Sequence, residues 1–112
     1  MPAYECVLAG KVLHHNSNKN DNAEALRLLE RAIELDPGYA HARAWRACVM
    51  GQGTTYGWLD RGMDELRNQV KDDLTNALAL DEDDADIHRI LAAVSIAHDD
   101  LEQAQHHQQK AH

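Results

Sequence analysis

Eight histidines in a chain of 112 residues are the first side chains to weigh for chemistry, since imidazole both binds metals and carries protons near neutral pH. Their spacing argues against a metal site. His14-His15 and His106-His107 are adjacent pairs, and neighbours on a helix point about 100° apart. No two histidines stand four apart, and no HExxH occurs. Glu102 and His106 would share a helix face with His98 one turn earlier, but two or three scattered donors do not close a coordination shell. The expectation is solvated histidines and no metal. The acidic run DEDDAD at 81–86 has the charge of a calcium loop but not its alternating carboxylates, glycine and distant Glu. Its acids are expected to cap and face the start of the following helix. The glycines of 51–62 lack the Lys and Ser/Thr arrangement that holds phosphates in a P-loop, and neither GxGxxG nor GxSxG is present. Asp72-Asp73 and Asp99-Asp100 read as solvated acids rather than a general acid/base pair, which must converge on a cleft. No catalytic residue and no cofactor are expected, so the chain is read as a non-enzyme.

Charge narrows the partners. The net charge is −8 and the pI is near 5.3. Phosphate backbones and anionic membrane surfaces recruit clustered Lys and Arg, so neither nucleic acid nor membrane is an expected partner. No apolar run approaches the roughly 20 residues that span a bilayer. Glu5 and Lys11 interrupt what would be the apolar region of a signal peptide. Cys6 and Cys48 form no CxxC, and both fall in expected helices. They read as small buried hydrophobes in a reducing compartment, which points to the cytoplasm.

The elements that would position any site are helical throughout. The stretch 23–37, AEALRLLERAIELDP, places Ala25, Leu28, Leu29, Ala32 and Ile33 on one stripe. Asp21 stands ahead of it with Glu24 three residues on, near a capping box, and Pro37-Gly38 end it. Ala25 and Ala32 are small enough to let a second helix approach closely. A first helix is expected over 3–15, with Val7, Leu8 and Val12 on its stripe, and a polar turn over 16–22 capped by Asp21. A third helix is expected over 39–51. The segment 51–62, GQGTTYGWLDRG, reads as an inserted loop. Its Tyr56 and Trp58 either plug a gap between helices or present aromatic anchors to a partner. Further helices are expected over 60–80, 84–97 and from 101 to the end.

The stretch recurs. AIELD at 32–36 returns as ALALD at 77–81, and each is followed by a turn and a helix opening on alanine, at Ala40 and Ala85. Asp100, Gln103, Ala104 and Ala111 match Asp21, Glu24, Ala25 and Ala32. Ala77 and Ala111 stand 34 apart, whereas Ala32 and Ala77 stand 45 apart because of the insertion. A 34-residue helix–turn–helix period resembles the tetratricopeptide repeat. The match is weakest in the second repeat, where Val70 replaces a small residue and Glu82 the proline. The resemblance implies an all-α, right-handed superhelix of about three repeats in one domain over 1–112. The repeats cover 5–38, 39–83 with an insertion near 51–62, and 84–112 truncated. Stopping within a helix suggests a piece of a longer protein. The order YECVLAGKVLHHN, AEALRLLERAIELDPGYAHA, Gly-aromatic insert and ALALDEDDADIHRILA resembles the repeat region of bacterial adenylate/guanylate cyclases and related signalling regulators.

In such repeats the first helix of each pair lines a concave groove. Carried onto this chain, the groove positions are Val7, Gly10 and His14, then His41, Ala44, Cys48 and Gln52 with Trp45 beside them, then Asp86, Arg89, Ala93 and Ile96. Some relatives clamp a C-terminal carboxylate with Lys, Asn and Arg. The matching positions here, Gly10, His14, Trp45, Asp86 and Ile90, supply neither the cation nor the amide, so that activity is not expected. The implied function is a protein- or peptide-binding scaffold, the regulatory repeat region of a larger signalling protein. The alternative is an oligomerising segment, a homodimer formed through an open repeat end that includes Leu91, Val94, Ala104 and Ala111.

Overall fold

The computed structural model describes residues 2–59 and 62–94. Helix α1 spans Ala3–Asn16, α2 Lys19–Leu35, α3 Ala40–Tyr56 and α4 Met63–Leu80. A fifth helical segment, α5, covers residues 85–94. No strand occurs among the described residues. Helices pack in chain order, α1 on α2, α2 on α3 and α3 on α4, and α1 also touches α3. The expected helix from residue 101, and with it His98, Glu102, Ala104, His106, His107 and Ala111, lies outside the described residues, as do Ile96 and Asp99-Asp100.

Small residues set the spacing. Ala25, Ala32, Ala42, Ala44, Ala47 and Ala77 are fully buried, so the helix backbones meet with only methyl groups between them. Gly10 extends this on α1. A Cβ there would lie 3.1 Å from Cγ of Leu29, itself fully buried on α2. Around these seams pack Cys6, Val7, Val49, Met50, Leu66, Ile87 and Ile90, which join α1–α5 in one apolar cluster.

Two boundaries differ from the sequence reading. Helix α2 starts at Lys19, inside the expected polar turn, and its cap is Asn18 rather than Asp21. The Asn18 side chain accepts from the Asp21 backbone N–H at 2.8 Å, and the Asp21 carboxylate accepts from the side-chain amides of Asn16 and Asn18. Asp21 is thus the third helical residue reaching back to the cap, one turn earlier than expected, but its carboxylate takes the cap's side-chain amide rather than the backbone N–H of a capping box. Helix α3 does not stop at Gly51 but runs to Tyr56, so the first half of the expected insert loop is helical. Thr54 and Thr55 turn their hydroxyls back to the carbonyls of Met50 and Gly51, and Gly53 leaves room for Leu59 and Asn22. The helix closes at Gly57, in the left-handed region at φ 70°, with Gly57 N–H donating to Thr54 O and Trp58 N–H to Gly53 O.

One acid also differs. Asp72 is exposed as expected, but Asp73 is buried between α4 and α3. Its carboxylate accepts from Arg46 Nε at 2.7 Å and Nη2 at 2.5 Å, a two-point pair that raises the Arg46 guanidinium above its ordinary value. Asp84 does cap α5, as the acidic run suggests. Its Oδ1 accepts from the backbone N–H groups of Asp86 and Ile87.

Candidate partner-binding face

The face formed by α1 and α3 is where expected site residues meet. Trp45 projects from α3 and is almost fully buried. On α1, one turn brings three basic side chains to it. Lys11 sets its ammonium 5.0 Å above the indole ring, and the rings of His14 and His15 approach edge-on at 6.0 and 6.1 Å. Positions 11, 14 and 15 are i, i+3 and i+4, so a single helix face delivers them together. The Trp45 Nε1–H is buried without a hydrogen-bond acceptor, a cost ordinarily answered by a partner group.

Gln52, two turns beyond Trp45, ties this face together. Its Nε2 donates to the His14 carbonyl at 3.4 Å and to Ser17 Oγ at 3.3 Å. Its Oε1 therefore accepts, from His14 Nδ1 at 3.1 Å and from Asn22 Nδ2 at 3.2 Å. Neutral His14 then carries its hydrogen on Nδ1 and leaves Nε2 as the nitrogen that takes up a proton. Burial holds the His14 imidazole below its ordinary value, with the nearby His15 adding to the effect and the Gln52 bond opposing it.

The other expected groove residues divide. Val7, Gly10 and Ala44 are buried and form the wall behind the face rather than its surface, because each is spent on helix–helix packing. Cys48 is half-buried rather than buried like Cys6, and desolvation pushes its thiol up to about 11, which leaves it an inert thiol at neutral pH. Arg89 and Ala93 are exposed on α5, and Arg89 pairs with Asp86. Tyr56 and Trp58 stack on one another at 4.8 Å with Tyr56 exposed, on the closing turn of α3 rather than on the α1 side.

His41 goes elsewhere. Its Nε2 meets Asp84 Oδ2 at 2.9 Å, and Asp86 adds a third donor atom, all within 4.8 Å of one another. Each is already engaged. Asp84 caps α5 with its other oxygen, Asp86 pairs with Arg89, and the cluster sits at a helix N-terminus whose partial positive charge opposes a cation. The geometry favours a clip between α3 and α5 over a metal centre, and the His41 contact holds the Asp84 carboxyl below the usual carboxylate range.

Lys11 and His15 are the members of the face that the sequence reading missed. Their signal was their helical register with His14, which is visible without a structure. Among the described residues no helix is long and apolar enough to cross a membrane. Comparison with protein-family models, curated proteins and solved structures finds no match to the chain.

Proposed function

We propose that the chain is a tetratricopeptide-like interaction module that receives a protein or peptide partner on the α1–α3 face. The observation that carries the reading is the packing order. The first helices of successive pairs, α1 and α3, touch each other as well as their own partners, so side chains from two repeats share one surface, as solenoids use for binding. The Lys11–His14–His15–Trp45–Gln52 group stands on that surface, and its indole donor lacks an acceptor. The resemblance to cyclase-associated repeats supports a regulatory role in a larger signalling protein. Panning the 112-residue chain against a peptide library tests this. Selected peptides should lose binding with Gln52→Ala or Lys11→Gln and keep it with Arg27→Gln, on the exposed side of α2. Equal binding by all three variants would overturn the reading.

A second reading, self-association, is favoured by one observation. Tyr4, Leu8 and Val12 are 60%, 41% and 63% exposed at i, i+4 and i+8 on α1, an apolar stripe at the other end of the array from Leu91 and Val94. Sedimentation at rising concentration should show a dimer that Leu8→Glu abolishes; a monomer up to high micromolar concentration removes this reading.

A further inference from the structure

Charge is unevenly placed in this protein. Carboxylates outnumber Lys and Arg by 19 to 11, and four arginines are committed to acids: Arg27 to Glu24, Arg31 to Glu34, Arg46 to Asp73 and Arg89 to Asp86. The α1–α3 face gathers three basic side chains in one place. Among the described residues, Lys11, His14 and His15 have no carboxylate in hydrogen-bond or ion-pair contact. The Lys11 ammonium rests on the Trp45 ring instead, a weak contact beside which a carboxylate can still pair with it. Beneath it, the indole N–H is a buried donor in need of an acceptor.

We propose that the face made by Lys11, His14, His15 and Trp45 holds the glutamate or aspartate side chains of an acidic peptide segment, and holds them more tightly as pH falls through the histidine range. The occupant follows from complementarity. The groups the face offers a partner are the Lys11 ammonium and two imidazoles that can take up a proton, and a carboxylate is the complement of both. The proposal rests on the interaction-module reading and names its partner chemistry.

The pH dependence follows from which groups surround His14. On α1 they are Lys11 and His15. On α3 they are Trp45, which does not titrate, and Gln52, which fixes Nδ1. From α2, Asn22 reaches the same Gln52 oxygen, and no α2 acid acts on His14. Protonating His14 is therefore resisted by burial and by His15, with no internal anion to relieve it. A bound carboxylate supplies that anion, so binding and proton uptake reinforce each other.

Titrating the 112-residue chain with fluorescein-labelled hexaglutamate and hexaglutamine, near pH 5.8 and near pH 7.5, spans the histidine range. Anisotropy and the Trp45 indole N–H resonance are the readouts. Hexaglutamate should bind and hexaglutamine should not, with affinity about fivefold higher at the lower pH, the order expected for one solvent-screened charge pair. Lys11→Gln should weaken hexaglutamate about fivefold at both pH values, and the double variant His14→Gln/His15→Gln should abolish the pH dependence. Circular dichroism of each variant should match the parent, and a variant that fails this is replaced by Lys11→Met or His15→Asn. Equal binding of the two peptides, no binding of hexaglutamate near pH 5.8, or a pH dependence that survives the double histidine variant would overturn the proposal. A panned peptide free of acids that still depends on Gln52 would also overturn it, while leaving the interaction reading intact.

Discussion

Cutting Arg46 back to alanine would strand a carboxylate. Asp73 keeps 1% of its side-chain exposure and Arg46 keeps 19%, so the acid has no route to water, while the guanidinium has a narrow one. Removing one member of a buried pair costs about 3–5 kcal/mol, because the survivor keeps its desolvation penalty and loses its attraction. Arg46→Ala should fall in that range. Asp73→Ala should cost less, about 2–3 kcal/mol, since the orphaned guanidinium can turn its exposed edge to solvent. The double variant Arg46→Leu/Asp73→Leu should recover most of the loss, since packed aliphatic groups often replace such pairs at little net cost. Against a total stability of about 5–15 kcal/mol, the first variant removes a large share. Urea unfolding of the parent, both singles and the double, followed by circular dichroism and tryptophan fluorescence, gives the coupling energy directly. A loss below about 1 kcal/mol for Arg46→Ala, or single losses that merely add in the double, would refute the reasoning.

Two further predictions concern packing and pH. Leu29→Ala empties the fully buried site beneath Gly10 and should cost about 2–5 kcal/mol by the same unfolding assay; a loss under about 0.5 kcal/mol would contradict the packing of α1 on α2. His14 is held below its ordinary value of 6.5 in the fold, so the unfolded chain binds its proton first. Its contribution should be intact above pH 6.5 and fall away as pH drops toward the lowered value, and His14→Gln should flatten the stability–pH curve in that window.

Alanine and glycine made the helices legible. Ala25, Ala32 and Ala77 mark where backbones approach, and all three are fully buried. The boundaries were less legible for local reasons. Asn16, Ser17, Asn18, Asn20, Asp21 and Asn22 can all cap a helix, and only the Asn18–Asp21 bonds choose among them. Glycines at 51 and 53 argue for a loop, yet tertiary contact overrode their low propensity: Gly53 is helical because Leu59 and Asn22 fill the space a side chain would take. The Arg46–Asp73 pair was illegible because it joins residues 27 apart on different helices, and nothing in the string DD separates the exposed acid from the buried one. Part of the candidate face could be read, since His14, Trp45 and Gln52 follow from repeat register. Val7, Gly10 and Ala44 show the limit of that register, because it marks a groove line without saying which residues the packing consumes.

The alanine seams have a calorimetric consequence. A buried methyl hides far less apolar area than a buried leucine or phenylalanine, and this chain has no phenylalanine at all. The heat-capacity increment of unfolding scales with the apolar area exposed, ordinarily about 12–15 cal/mol/K per residue. A core fitted by close approach of backbones rather than by bulky side chains should fall below that range, and its denaturant slope should be shallow for the same reason. The stability curve then flattens, so cooling and moderate warming change the folded population less than in a domain of equal size built around large side chains.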